Sequence, residues 1–383
     1  MTLKTNRRSL LLGAAGVAVS AAACQPRLTS KVAEAKGAFA MPGQSLHIGP
    51  KPGFARLHSN ENPYGPARSA LDLMDYAARK GAYYADGGAK PLMDMIAERH
   101  SLNANQVTIS TGSAEALSAI ALVFGRQGPI VAPRLFFDAT PMYAKRLGLA
   151  EIIRAPMTET LDMDLAALEA MVTPATGMVQ ICNPNNPTGV LAEPVVLKAA
   201  VKRMARLTTV VVDEAYMELT DQPDTNSCVD LVREGHNVIV SRTFSKLYGM
   251  AGIRVGYVIS SEEAAKRIAG ANMTWMSGLG YAAAIGCYND TTFIERSRRK
   301  ILQGREMVNE TLASLDMTAL PSQTNFVYFK SGQSANALQA ALAERQVLIR
   351  GQYMDYADWS RVSMGRLEDV AKFCQGLREV VGA

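Results

Sequence analysis

The sequence predicts an α/β fold: a large domain built on a seven-stranded, mostly parallel sheet, followed by a smaller α/β domain at the C-terminus. Three observations carry this. Short apolar runs recur between helix-like segments along most of the chain. Several of those runs are continuously apolar rather than alternating, as strands covered on both faces are. Finally, 383 residues at 48% hydrophobic and 20% charged are too many for one simple core.

The first element is an address rather than a structural unit. The segment "TNRRSLLLGAAGVAVSAAAC" carries paired arginines at Arg7 and Arg8, an apolar stretch from Leu10 to Ala23 and an Ala-Ala-Ala end. It resembles a twin-arginine export signal, which predicts an exported, periplasmic protein, and the apolar stretch is short for a membrane span. Cys24 follows the small residues directly and resembles a lipoprotein attachment site, with alanine in place of leucine three residues earlier. Three basic residues of this leader, Lys4, Arg7 and Arg8, account for most of the formal charge of +5. The remaining chain is nearly balanced, which argues against nucleic-acid binding.

The large domain is expected over 57–289, after an N-terminal arm over 24–56, and the small domain over 290–383. Its strands are expected at Val107 to Thr111, Pro129 to Ala132, Ile152 to Ala155, Met178 to Cys182, Thr209 to Val212, Val238 to Ser241 and Arg254 to Ile259. In the tail, "TTFIERSRRKILQGREMVNETLASL" reads as one long helix. The runs "TNFVYFK", "VLIR" and "RVSMG" then alternate with helices over Ala335 to Arg345 and from Glu368. "GLGYAA", from Gly278 to Ala283, has the letters of a dinucleotide-binding turn but no preceding strand, so it reads as close packing at a helix start. Cys182, Cys228, Cys287 and Cys374 are scattered as buried free thiols would be, and the four histidines show no metal-ligand spacing, so no metal site is expected.

The chemistry concentrates in "SRTFSKLYGMAGIRVG", Ser241 to Gly256. A lysine that forms an imine must shed its proton near neutral pH, which burial or neighbouring cations favour. Lys246 has such cations in Arg242 and Arg254, and the hydroxyls of Ser241, Thr243 and Ser245 join them in a mixture suited to a phosphate. "TGSAEALSAIALVF" sets Gly112, Ser113 and Ala114 between a strand and a helix, where backbone N–H groups hold anions. Asp213 ends the run "TTVVVDEAY", Tyr216 lies three residues on, and Asn186 sits in "CNPNNPTG". A buried carboxylate that keeps a pyridine nitrogen protonated, with two groups to hydrogen-bond the ring hydroxyl, is what a pyridoxal ring requires.

Together, "NENPYGP", "NPNNPTG", "VVDEAY" and "RTFSKLYGMAGIRVG" resemble the fold-type-I pyridoxal-phosphate aminotransferases, with an aspartate-aminotransferase-like fold, and most of all the histidinol-phosphate aminotransferase branch. The resemblance runs from about residue 55 to residue 380. It implies pyridoxal 5'-phosphate as cofactor, an internal aldimine on Lys246, and a ping-pong exchange between an amino acid or related amine and a 2-oxo acid. It further implies that Arg254, Ser245, Thr243, Ser113 and Ala114 hold the phosphate. Phe137, or Phe136 if the register differs by one, would lie on the ring. Arg361 in "WSRVSMG" would pair with a substrate carboxylate, with Arg350 in "VLIRG" as a second substrate-facing arginine. The family resemblance also implies a homodimer with shared sites, Tyr84 in "YYADGGAKPL" reaching the neighbouring subunit's cofactor phosphate.

Two departures bear on the substrate. Ala114 stands where the histidinol-phosphate branch carries an acid or amide, and export sits badly with histidine biosynthesis, which is cytoplasmic. At this level a different pyridoxal reaction, such as lyase, decarboxylase or racemase chemistry, shares the same lysine and aspartate and stays open. So does a non-catalytic cofactor-binding protein.

Overall fold

A computed structural model of the chain describes residues 48–85, 87–273 and 275–382; the leader and Cys24 lie outside them. In chain order the strands are β1 (Ala55–Arg56), β2 (Val107–Ser110), β3 (Ile130–Pro133), β4 (Ile152–Ala155), β5 (Met178–Cys182), β6 (Thr209–Asp213), β7 (Val238–Thr243), β8 (Gly256–Ile259), β9 (Phe326–Lys330), β10 (Val347–Leu348) and β11 (Trp359–Ser363). Seven of them form the main sheet in the order β2-β8-β7-β6-β5-β3-β4. Only β8 runs against its neighbours β2 and β7; the other pairings are parallel. All seven expected runs are therefore strands.

The sheet is buried on both faces, which is why its strands lack polar alternation. Along β6, Val210 and Val212 enter one core with Leu197, Ala200, Val201 and Met204 of the helix Pro194–Met204. Val211 enters the opposite core with Ala116 and Ile120 of the helix Ser113–Val123 and with Ile268. Each such valine contributes on the order of 1.5–3 kcal/mol by leaving water. Parallel register also aligns the strand ends: Cys182 lies opposite Asp213, and Asp213 opposite Ser241. The loops that follow β5, β6 and β7 thus open from one edge of the sheet, where ligands bind in folds of this kind.

The strand expected from Arg254 starts at Gly256 instead, because Arg254 adopts a left-handed φ of +63°. Gly256 is there for contact: a Cβ would lie 2.3 Å from the Ser113 backbone nitrogen. That close approach brings the start of the helix Ser113–Val123 against β8. "GLGYAA" opens the helix Gly278–Tyr288, whose Gly286 meets the helix Arg68–Ala78 with no room for a side chain, a Cβ lying 2.4 Å from the Ser69 carbonyl.

The C-terminal segment has its own core. β9 and β11 pair antiparallel, and Phe326, Val327 and Phe329 pack on Ile301, Val308 and Leu312 of the helix Thr291–Ser314 and on Val370, Phe373 and Leu377 of the helix Leu367–Val381. β1 pairs with β10, and Ala55 and Leu57 belong to this same core, so the chain's earliest described strand is packed with its last elements. The four cysteines Cys182, Cys228, Cys287 and Cys374 are free and buried, as their spacing suggests.

Candidate active site

A cleft of about 590 Å³ lies at the C-terminal ends of β5, β6 and β7. Its lining includes Ser113, Ala114, Phe136, Phe137, Asn186 and Asp213, and also Tyr216, Thr243, Ser245, Lys246, Arg254, Arg350 and Arg361. Of the expected site residues, Tyr84 stands apart, as do Arg242 and Ser241 of the expected phosphate mixture. Tyr84 is 82% exposed and meets Trp275 edge to face at 5.2 Å between ring centres.

Asp213 sits at the floor, 3% exposed, and its Oδ1 is buried with no hydrogen-bond partner. Burial pushes this carboxyl from 3.8 to about 7, although the nearby Lys246 charge pulls the other way. Lys246 follows β7 by three residues. Burial first, then the positive charge of Arg361, lowers its ammonium from 10.5 to about 8, against the opposing pull of Asp213 and Glu61. Its Nζ donates to the Asn60 carbonyl at 3.3 Å. The cleft therefore holds a lysine easily made neutral near a carboxyl whose Oδ1 lacks a hydrogen-bond donor.

Asn60 organises the wall opposite. Its Nδ2 donates to the Tyr216 hydroxyl at 2.9 Å, and its Oδ1 accepts from Ser363 at 2.6 Å. Its φ of +53° is one that asparagine tolerates better than most residues. Tyr216 is buried, which raises its phenol well above the ordinary range.

At the other end, the helix Ser113–Val123 presents its first N–H groups, which have no partner within the helix. Thr243 donates to Ser245 Oγ at 2.9 Å, and Arg254 Nη1 lies 3.5 Å from the same oxygen. A side chain at Gly112, with φ of +75°, would collide with the Arg254 guanidinium, its Cβ 2.2 Å from Nη2. Helix terminus, hydroxyls and guanidinium converge as an anion cradle. Arg242, expected to join it, does not. Side chains alternate along β7, so Arg242 points to the opposite face. There it pairs with Glu214 at 2.7 Å and Glu218 at 3.1 Å, buried beneath the site.

At the wall formed by β11, Arg361 is 4% exposed. Its Nη1 donates to Asn186 Oδ1 at 2.6 Å and its Nη2 to the His58 carbonyl at 2.8 Å. Arg350 is exposed and joins it through the backbone, its N–H donating to the Arg361 carbonyl at 2.9 Å. Phe136 is buried against Ala132 and Cys182, whereas Phe137 is 39% exposed at the rim.

The family model of aminotransferase class I and II matches residues 53–377. The chain belongs to the class I and II aminotransferases. A curated histidinol-phosphate aminotransferase of Symbiobacterium thermophilum is 33% identical over 333 residues, covering 86% of this chain and 91% of the relative. The crystal structure of histidinol-phosphate aminotransferase from Sinorhizobium meliloti, in complex with pyridoxal-5'-phosphate, superposes with a TM-score of 0.78 at 28% identity. That match covers 88% of this chain and 96% of the other. Thermus thermophilus aspartate aminotransferase shares the fold, with a TM-score of 0.73 at 19% identity and coverage of 85% and 91%. The fold is thus the expected aspartate-aminotransferase-like one, and the chain is a pyridoxal-phosphate-dependent aminotransferase.

The aminotransferase's own residues fit that cofactor. The unpartnered Asp213 oxygen suits a protonated ring nitrogen, the anion cradle a phosphate, and Lys246, whose proton is more easily lost than an ordinary lysine's, a carbonyl carbon. Sequence reasoning missed Asn60, Ala215, Asp138, Gln352, Tyr353 and Met354, which also line the cleft. Asn60 carried a signal, its place in "NENPYGP". The stretch from Gln352 to Met354 carried none.

Proposed function

We propose that this enzyme moves the amino group of an amino acid or related amine to a 2-oxo acid, with Lys246 as both the point of cofactor attachment and the proton carrier. The observation that supports it best is a buried Asp213 carboxyl, whose Oδ1 has no hydrogen-bond partner, in the same cleft as a lysine lowered to about 8. When bound, pyridoxal 5'-phosphate supplies an electron sink for the substrate carbon that loses its proton. Asp213 keeps the ring nitrogen protonated, and Asn186 and Tyr216 hydrogen-bond the ring oxygen. Ser113, Ala114, Thr243, Ser245 and Arg254 hold the phosphate, and Phe137 or Phe136 covers the ring. Lys246 Nζ would carry the proton from the donor's α-carbon to the cofactor's former carbonyl carbon, and in the return half-reaction would carry one the opposite way, to the α-carbon derived from the 2-oxo acid. Arg361 grips the carboxylate with its planar fork, and Arg350 adds a second positive charge at the rim.

The relatives are histidinol-phosphate aminotransferases, but Ala114 alters the cleft wall and the leader directs the chain out of the cytoplasm. Both favour a donor outside histidine biosynthesis: a free amino acid, a peptide-derived amine or a secreted metabolite. We infer a homodimer with shared sites, in which Tyr84 reaches the partner's cofactor phosphate; the exposed Tyr84 and Trp275, at 82% and 77%, are surface that a second subunit would cover. We also propose export by the twin-arginine route to the periplasm, with Cys24 as a lipid attachment point. Incubation with single amino acids plus 2-oxoglutarate or pyruvate should yield glutamate or alanine with one donor at least. No new amino acid from any donor would count against transamination.

A further inference from the structure

One wall of the cleft is a turn over residues 353–356, closed by the Tyr356 N–H donating to the Tyr353 carbonyl at 2.9 Å, with Met354 at a φ of +48°. It is pinned from behind: the Gln352 N–H donates to Asn336 Oδ1 at 3.1 Å, and Gln352 Nε2 to the Met354 carbonyl at 2.6 Å. Asp355 reaches across the cleft mouth to pair with Arg134. Arg134 begins the stretch that carries Phe136 and Phe137, and this stretch is itself anchored. Arg154 donates from Nη1 to the Arg134 carbonyl at 3.3 Å and from Nη2 to Asp138 at 2.7 Å.

The turn places the Tyr353 ring within cation–π distance of two guanidiniums. Arg350 Cζ lies 4.9 Å from its centre and Arg361 Cζ 5.2 Å. Behind it, Tyr353 meets Tyr328 edge to face at 6.3 Å, and Tyr328 stacks on Trp359. The other groups that hold Arg361 are also uncharged: Asn186 Oδ1, the His58 carbonyl and the Phe326 ring. A ring face attracts a cation without neutralising it. Two like charges are thereby kept together while both stay available to an anion.

We propose that Tyr353 is a positioning residue: its ring, set in place by the Arg134–Asp355 ion pair across the cleft mouth, holds Arg350 and Arg361 ready for an acidic substrate. This rests on the reading of Arg361 as the carboxylate-binding group. Arg134 and Asp355 are 54% and 60% exposed, so their pair is weak and salt-sensitive and acts by aiming the turn.

The test uses the cofactor-loaded protein with succinate as a dicarboxylate probe, followed by calorimetry, and KM for 2-oxoglutarate beside it. Tyr353→Leu should weaken succinate and raise KM about three- to thirtyfold while kcat stays within about twofold, and Tyr353→Phe should stay near wild type. Asp355→Asn should weaken succinate about two- to fivefold at low salt and match wild type at about 1 M salt. In the Tyr353→Leu background it should add nothing. Should Tyr353→Leu fail to fold, the salt-dependent loss in Asp355→Asn decides: its presence supports the proposal and its absence overturns it. Arg361→Lys separates the two readings. If it binds succinate as wild type does, the carboxylate assignment fails; if it weakens succinate while Tyr353→Leu does not, or the two effects add, the positioning role is overturned.

Discussion

Replacing Asp213 by asparagine should act with opposite signs on the empty and the loaded enzyme. In the cofactor-free protein the carboxyl is raised from 3.8 to about 7 by burial. Well below pH 3.8 it is protonated in both folded and unfolded chains and costs nothing. As pH rises from about 4 to 7 the unfolded chain ionises first, so stability is lost across that window. At 1.36 kcal/mol per pKa unit the loss reaches about 4 kcal/mol above pH 7. Asparagine removes it but leaves amide donors unpaired, at about 1–3 kcal/mol, for a net gain of about 1–3 kcal/mol at pH 8 and little at pH 5. Loaded with pyridoxal 5'-phosphate, the same change loses a charge-assisted hydrogen bond of about 1.5–3 kcal/mol, so affinity falls about 10- to 150-fold. Urea unfolding of the cofactor-free proteins at pH 5 and 8, and cofactor titration in a Lys246→Ala background where binding is reversible, measure the two halves. An Asp213→Asn protein less stable than wild type at pH 8 would show that burial of this carboxyl carries no cost, and one that binds the cofactor equally well would show that Asp213 does not hold the ring nitrogen.

Two further outcomes are expected. Covalent capture of pyridoxal phosphate needs neutral Lys246, so its stopped-flow rate should rise about tenfold per pH unit up to the lysine's value of about 8 and then level off; a flat rate from pH 6 to 8 would show the amine is not the controlling group. Gly256→Ala puts a Cβ 2.3 Å from the Ser113 nitrogen, so it should destabilise the protein by about 1–3 kcal/mol and weaken its stabilisation by inorganic phosphate in thermal unfolding; unchanged phosphate stabilisation would mean the helix terminus is not the anion site.

The strands were legible because burial on both faces writes each as a continuous apolar run, and the tail was legible through its helical spacing. Strand direction is not written in such runs, so the reversal of β8 emerges only from pairing. Lys246, Asp213 and Arg361 could be picked out because their chemistry is specific and their motifs local. Arg242 misled for a geometric reason: it neighbours Thr243 in sequence, yet period-two alternation turns it to the other side of the sheet, against Glu214. Asn60 meets Tyr216 and Lys246 across the fold, and no spacing in the chain brings those partners together; Tyr353 follows Arg350 by three residues, but its contact with Arg361 emerges only from the fold.

The central claim is that Lys246 carries the cofactor. Borohydride reduction of the loaded protein, followed by peptide mass mapping, tests it directly. A single phosphopyridoxyl group should appear on the peptide containing Lys246 and be absent after Lys246→Ala. Modification of another lysine in its place, or a reduced wild-type protein with no covalent adduct, would contradict it.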